Sequence, residues 1–349
     1  SGLEDLFPLM SEGVQAMLER LGRLAPGAEI EADLEAAHVT ADVIARTLCS
    51  VPLDRAEVAD MFGAFTRYQD AAPAYGLFRA FSLPVSWTPS GRRIKRAARD
   101  IRRIVEGFVR PRWDARQRGD ADERSDVLKA LMEARDPATG QGFTFEELVQ
   151  QLIVLFIAGH ETTASLLSWA FYIIAQCPEV QDRLHAESVA VFGDSAPEFT
   201  DIRQLKFTRE VVRETLRLYP TVGFLIREAC QAAEFRGQTV PAGTTVVVSP
   251  WVVHRHRGMW ERPDEFDPER FKTPAGKASL KCAYLPFSFG PRVCLGAGFA
   301  MQEAMLIIAS LVRRYRLLPV AGHVPEPTSR LTVRSRNGIR LRIEPRQAT

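Results

Sequence analysis

At 349 residues, 46% hydrophobic and 25% charged, the chain has ordinary globular composition and the length of one large domain. Its 45 basic and 43 acidic groups leave a net charge of +2, which argues against a dedicated nucleic-acid binder. The cysteines Cys49, Cys177, Cys230, Cys282 and Cys294 are odd in number and form no CxxC pair, which argues against a disulfide framework or a zinc knuckle.

The first two thirds read as helices. Ser11 to Leu24, Glu31 to Cys49 and Arg55 to Phe81 carry apolar residues at three- and four-residue spacing, with Pro73 splitting the third. Leu83-Pro84 and Thr88-Pro89-Ser90-Gly91 interrupt the pattern. A basic helix follows over Arg92 to Arg110, carrying Arg92, Arg93, Lys95, Arg96, Arg99, Arg102 and Arg103, and Pro111 marks its expected end. Its plainest reading is a solvated face; a docking surface for an anionic partner or membrane stays open. Asp136-Pro137 and Gly140-Gln141-Gly142 form a loop, after which Thr144 has the character of an N-cap with Glu146 and Glu147 in the first turn. The helix it starts runs to Cys177, where Pro178 stops it, and it is apolar on nearly every side from Leu152 to Ile174. Such a helix is either central in a core or in a membrane, and the polar interruption Gly159-His160-Glu161-Thr162-Thr163 favours the core. The longest unbroken apolar run, Leu152 to Ala158, is short for a bilayer. No signal peptide is visible.

Helices continue over Glu179 to Phe192 and Phe207 to Tyr219. After Pro220, short strands are expected at Val222 to Ala229, Ala233 to Val240 and Thr244 to Val248, with turns at Arg236-Gly237 and Pro241-Ala242-Gly243. Trp260 to Phe271 reads as irregular coil, Gly298 to Arg314 as a last helix, and Leu331 to Glu344 as a closing hairpin around Asn337-Gly338. Without repeats or linkers, residues 1–349 read as a single domain, mainly α with small β-sheets.

The strongest chemical signal is Phe287-Ser288-Phe289-Gly290-Pro291-Arg292-Val293-Cys294-Leu295-Gly296. A cysteine in a glycine-punctuated loop just before a helix sits where backbone N–H groups and the helix dipole favour the thiolate. A thiolate is the axial ligand that pushes electron density onto haem iron and promotes O–O cleavage. Gly290 and Gly296 allow close backbone approach, Phe287 would shield the sulfur, and Arg292 would reach a haem propionate. The plain alternative is a free core cysteine beside a turn. The segment resembles the cysteine loop of the cytochrome P450 family, Phe-x-x-Gly-x-Arg-x-Cys-x-Gly, at Phe287, Gly290, Arg292, Cys294 and Gly296. The resemblance implies the P450 fold, heme b (iron protoporphyrin IX) as cofactor and Cys294 as the metal ligand.

Two further motifs carry it. Glu214-Thr215-Leu216-Arg217 places Glu and Arg on one helix face and resembles the family's Glu-x-x-Arg; Pro268-Glu269-Arg270-Phe271 resembles its Pro-Glu-Arg-Phe segment. The resemblance implies a buried structural network of Glu214, Arg217 and Arg270 behind the haem. Ala158-Gly159-His160-Glu161-Thr162-Thr163 combines a helix-weakening glycine with a threonine able to bond the carbonyl four residues back, which would open a groove over the iron. The plain alternative is a kinked core helix. It resembles the family's central-helix motif, which implies that Thr162 steadies dioxygen and the water that protonates it, that Glu161 helps relay protons, and that Ala158 touches the cofactor. His160 falls on the variable position and is not expected to be a ligand. Arg227 matches the family's strand arginine that pairs with a propionate. Val154, Ile157, Phe224, Leu225 and Thr332 fall where the family lines its substrate pocket, and each would serve equally as core.

The resemblance thus implies a haem-thiolate monooxygenase acting on an apolar organic substrate with dioxygen. No flavin or ferredoxin-like segment appears, so electrons are expected from a separate ferredoxin or flavin reductase or from sequence upstream. The wording of the motifs leans toward fatty-acid- or alkane-like substrates. A peroxide-driven peroxygenase and a non-catalytic haem or gas sensor are the alternatives, the first disfavoured by the Glu161-Thr162 pair. A bacterial, cytoplasmic protein is expected. The chain opens Ser1-Gly2-Leu3 without the family's N-terminal Trp-x-x-x-Arg helix, so a truncated or processed start is expected and an upstream anchor stays open.

Overall fold

A computed structural model describes residues 2–53, 63–64, 67–68, 88–329 and 331–346. The helix expected over Arg55 to Phe81 therefore lies mostly outside the described residues. The chain divides into two compact units, the first Ser1–Ala28, Asp33–Ala164 and Ala196–Thr200, the second Glu29–Ala32, Ser165–Ser195 and Asp201–Thr349.

The first unit is helical. Helix α1 (Gly2–Leu21) buries Phe7, Met10, Val14, Met17, Leu18 and Leu21 at helical spacing. Helix α2 (Ala32–Cys49) buries Val39, Val43, Ile44 and Leu48. Arg46 of α2 reaches Glu12 of α1 at 3.0 Å. The basic helix is longer than expected: α3 spans Pro89–Gln117. The Thr88-Pro89-Ser90-Gly91 interruption is its start, because Thr88 accepts the Gly91 N–H and Pro89 sits in the first turn, where its missing N–H costs nothing. Pro111 does not end it. An interior proline costs about 3 kcal/mol, but continuing past it buries Arg112, which makes paired bonds to Asp126 at 2.6 and 3.0 Å and meets Asp122 at 2.6 Å. Asp126 also caps α4 (Val127–Glu133) by accepting the Lys129 N–H. Arg92, Arg93, Lys95, Arg96 and Arg99 lie exposed along α3. Helix α5 (Phe145–Gln176) begins with a reciprocal cap in which Thr144 and Glu147 each bond the other's backbone N–H. It is long and apolar enough to cross a bilayer, yet 61% of its apolar window is buried within the protein.

The second unit holds the end of α5 and α6 (Pro178–Phe192), α7 (Lys206–Leu218) and α10 (Ala297–Arg314), with α10 packed on both α6 and α7. The antiparallel strand pairs are small. Strands β2 (Leu225–Glu228) and β5 (Thr245–Val248) pair, as do β3 (Ala233–Phe235) and β4 (Gln238–Val240). Short helices α8 (Pro250–Val253) and α9 (Pro274–Cys282) flank the coil, which ends in a tight turn at Pro268–Lys272. One sheet has the order β1 (Glu29–Glu31), β9 (Arg340–Pro345), β6 (Tyr315–Pro319), a pairing of distant segments that short-range pattern does not reveal.

The expected closing hairpin does not form. Strand β8 (Val333–Ser335) pairs instead with β7 (Pro327–Ser329), while β9 joins the other sheet. The Asn337 side chain accepts the Glu326 N–H at 2.8 Å and donates to Val324 O at 2.9 Å, so the Asn-Gly turn docks on an earlier loop rather than closing its own strands.

Removing Arg112 leaves Asp126 buried without its counter-charge. Arg112→Ala is expected to lower unfolding free energy by about 3–5 kcal/mol, measured by denaturant titration. A loss under about 1 kcal/mol would mean that the pair acts as an exposed one.

Candidate functional site

Helix α7 buries Glu214 and Arg217 completely, and every donor of the guanidinium finds a partner. A guanidinium has five N–H donors. Those of Arg217 go to Glu214 Oε2 (2.8 Å) and Oε1 (2.9 Å) and to the carbonyls of His254 (2.8 Å), Pro263 (2.6 Å) and Glu265 (3.0 Å). Glu214 in turn accepts the Asp267 N–H at 2.9 Å and Arg270 Nε at 2.7 Å. Arg270 spends its other donors on Glu261, Arg262 and Glu265 carbonyls at 2.5 to 3.1 Å. Trp260, Phe271 and Ala283 form the apolar cluster against it, with the Trp260 ring 5.4 Å from Arg217 Cζ. Two arginines and one glutamate thus fix an otherwise irregular coil by its carbonyls.

That coil leads into the cysteine loop. Cys294 donates its N–H to Phe287 O at 2.9 Å, closing the loop around a tight turn at Gly290–Arg292. Gly290 has φ 66°, which favours glycine, and Ser288 takes φ 62°. The Ser288 hydroxyl accepts Arg227 Nη2 at 2.9 Å, so the strand arginine of β2 braces the strained residue of the loop. Of the backbone donors that follow the sulfur, Ala297 N–H turns to Cys294 O at 3.4 Å and Ala300 N–H to Gly296 O at 2.9 Å. No hydrogen bond to Cys294 Sγ is found among the described residues. The start of α10, three residues on, adds positive potential beside that of Arg292.

Cys294 is exposed, as are Arg292 and Arg227. Around the thiol, Phe289 and Val293 are each 57% exposed and Leu295 is 95% exposed. Phe287 is half-buried behind the loop, and a Cβ on Gly296 would sit 3.9 Å from the sulfur. A bare thiol amid exposed apolar side chains, with two exposed arginines beside it, fits the face and propionate edge of a haem. Phe224 precedes β2 and Leu225 opens it, two residues before Arg227; Phe224 is 52% exposed and Leu225 half-buried. Thr332 is buried, so it offers a pocket no open surface as it stands.

In the first unit, α5 presents Val154, Ala158 and Thr162 at four-residue intervals. Val154 and Ala158 are exposed and Thr162 is half-buried, an open stripe within the helix's apolar stretch. Thr162 Oγ1 donates to Ala158 O at 2.7 Å. Glu161 and His160 are buried. The gap at Gly159 is not open: an added Cβ would meet Ile44 Cδ1 at 2.6 Å, so the missing side chain serves close packing of α2. Ile157 packs against the cluster of Ala64 and Ile101. A charged cavity of ≈ 580 Å³ opens in the same unit near Arg112, Asp122 and Lys129, and none of the motif residues lines it.

Sequence reasoning missed His254. It is fully buried and bonded through both ring nitrogens, to Leu285 at the head of the cysteine loop and to Arg217. A histidine between two tryptophans in Trp251 to Trp260 was a signal, but not one that names a partner.

A family model described as Cytochrome P450 matches residues 1–343. Among curated proteins, cyclooctat-9-en-7-ol 5-monooxygenase of Streptomyces melanosporofaciens is 34% identical over 86% of this chain and 65% of its own length. An 11-oxo-beta-amyrin 30-oxidase of Glycyrrhiza uralensis is 31% identical over 96% of the chain and 66% of its own length. Probable cytochrome P450 4aa1 of Drosophila melanogaster is 27% identical over 99% and 69% respectively. The chain spans about two thirds of the length of these relatives.

Arg217→Ala removes the guanidinium that satisfies Glu214 and three carbonyls. The expected cost is about 3–5 kcal/mol, read as a lowered unfolding midpoint and failure to accumulate haem-loaded protein. A variant with wild-type midpoint and haem content would refute the role given to the network.

Proposed function

The chain belongs to the cytochrome P450 family, and from that premise we propose that it is the haem-binding part of a monooxygenase. In this reading residues 1–349 form one haem domain. Cys294 is the axial thiolate, Arg227 and Arg292 hold the propionates, and Phe287, Gly290, Gly296 and Ala158 contact or shield the cofactor. The observation that carries the reading is the cysteine loop itself: an exposed thiol held by Cys294 N–H to Phe287 O, with Arg227 bonded to the same loop.

When bound, thiolate-ligated haem supplies the electron density for O–O cleavage and oxygen insertion. The chain's own residues then have defined tasks. Thr162 donates its proton to Ala158 O, which leaves its oxygen lone pairs available to hold a water by that water's O–H. Glu161 sits beside it in sequence, buried, as a group for passing protons inward. Val154, Ile157, Phe224 and Leu225, each exposed or half-buried, are the apolar side chains assigned to a substrate, and buried Thr332 would serve it only after a rearrangement.

One relative is named as a 5-monooxygenase of cyclooctat-9-en-7-ol and another as a 30-oxidase of 11-oxo-beta-amyrin, which supports an apolar organic substrate. Fatty-acid- or alkane-like molecules remain the substrate class toward which the motifs lean. Electrons come from a separate ferredoxin or flavin reductase. A bacterial, cytoplasmic setting, which the Streptomyces relative supports, belongs to the same proposal. Product formation with reductase and NADPH, and none with peroxide alone, is the result expected. Turnover with peroxide alone would replace this reading with a peroxygenase, and no turnover with either would favour a sensor.

Cys294→Ser should abolish the thiolate band of the reduced carbon-monoxide complex, while changes at Cys49, Cys177, Cys230 or Cys282 leave it. A normal band in Cys294→Ser contradicts the ligand assignment. Thr162→Ala should keep haem and substrate binding but divert reducing equivalents to hydrogen peroxide, read as less product per NADPH consumed. Unchanged coupling would remove Thr162 from proton delivery.

A further inference from the structure

His254 lies in none of the motifs that carry the family resemblance, yet its burial is total and its ring is held on three sides. Leu285 donates its N–H to His254 Nε2 at 2.7 Å, so that nitrogen carries no proton. Nδ1 lies 3.2 Å from Arg217 O, and a carbonyl only accepts, so Nδ1 carries the proton. The tautomer is thereby fixed and neutral. Arg217 Nη1 returns a bond to the His254 carbonyl at 2.8 Å. The ring stacks on Tyr284 with centroids 5.5 Å apart and planes 20° from parallel, and Tyr284 Oη donates to Arg213 O at 3.1 Å.

Leu285 is the first residue of the cysteine loop's own hydrogen bonding. Its carbonyl accepts Ser288 N–H at 3.2 Å, and Phe287 O two residues on accepts Cys294 N–H at 2.9 Å. An unbroken path therefore runs from Glu214 through Arg217, the His254 ring and Leu285 to the residue that carries the thiol.

We propose that His254 is a positioning residue for the axial ligand: its neutral, Nδ1-protonated ring transmits the register of the Glu214–Arg217–Arg270 network to the cysteine loop. The inference rests on Cys294 being the haem ligand. It adds a residue that acts through Leu285 and touches neither haem nor substrate.

The geometry also makes the link sensitive to acid. The charged and titratable groups around the ring are Arg217 and its partner Glu214 on α7, Arg255 on its own segment, and Tyr284 on the loop. Burial, with Arg217 and Arg255 adding to it and the bond to Arg217 O opposing, pushes the imidazole down to about 4 from 6.5. A base whose folded value is lowered contributes fully above its unfolded value and loses that contribution as pH falls. The stability that the neutral ring contributes is therefore complete above about 6.5 and declines progressively between there and about 4, while in the closed fold the ring itself takes up a proton only as pH approaches about 4. A proton on Nε2 would face the Leu285 N–H, donor against donor.

The test uses the haem-loaded full chain and three variants. His254→Gln keeps an acceptor where Nε2 stands and does not titrate. His254→Asn reaches only the Nδ1 position, and His254→Phe keeps only the stack. Two readouts are followed from pH 8 to 5: hydrogen-exchange protection of the Leu285 amide, corrected for its intrinsic pH dependence, and the fraction of carbon-monoxide complex in the thiolate band. In the wild type the Leu285 protection should fall below about 6.5, because the opened state takes up a proton there, while the band, which follows the still-neutral folded ring, should hold down to pH 5. His254→Asn and His254→Phe should show at least about tenfold lower Leu285 protection already at neutral pH, with part of the band lost. His254→Gln should restore both and flatten the acid step. Wild-type protection that is flat with pH, or His254→Gln keeping the wild-type acid step, overturns the proposal even where the other variants fail to load haem. If Cys294 is not the ligand, the Leu285 readout still responds and only the spectral one does not, so the two failures are separable.

Discussion

The second unit is organised around one buried guanidinium. Arg217 is wholly enclosed, and a charge in that position is tolerable only if every donor finds a partner. Glu214 alone satisfies two of its five donors. The other three require carbonyls of His254, Pro263 and Glu265, and Arg270 draws in those of Glu261 and Arg262. The demand of the charge thus specifies the path of a coil that has no regular hydrogen bonding of its own. Substituting a well-packed apolar side chain would preserve volume but leave that coil without instructions, which is why the network is better understood as a specifier of geometry than as a source of stability.

From that coil the constraint passes into the cysteine loop by two routes. His254 holds Leu285, and Arg227 of β2 holds Ser288 in its left-handed conformation. Between these holds, Cys294 is tied to Phe287, and the thiol is left outside the backbone hydrogen bonding. The surface beside it is apolar where a haem face would lie and cationic where carboxylates would end. In the first unit α5 contributes a stripe, Val154, Ala158 and Thr162, whose spacing comes directly from helical periodicity.

Much of this was legible from the residues. The cysteine loop, the Glu-x-x-Arg pair and the central-helix run each carry their chemistry in a short segment, so spacing alone placed Cys294, Glu214, Arg217 and Thr162 on the right elements. What escaped depended on contacts distant in sequence. Pro111 reads locally as a helix end, but Arg112 is pulled onward by Asp122 and Asp126. Asn337-Gly338 reads locally as a hairpin, but its side chain is claimed by the loop at Val324 and Glu326. Gly159 reads as a helix-weakening gap, but Ile44 fills it. His254 reads as nothing in particular, because its meaning lies in Leu285 and Arg217, both more than thirty residues away in sequence.

In the proposed reading the Cys294 sulfur is the ligand that this loop presents. Iron-edge X-ray absorption of the haem-loaded chain reads that ligand directly. The account predicts a single sulfur neighbour to iron in addition to the porphyrin nitrogens. An iron environment of nitrogen and oxygen alone, in protein with full haem occupancy, would contradict it.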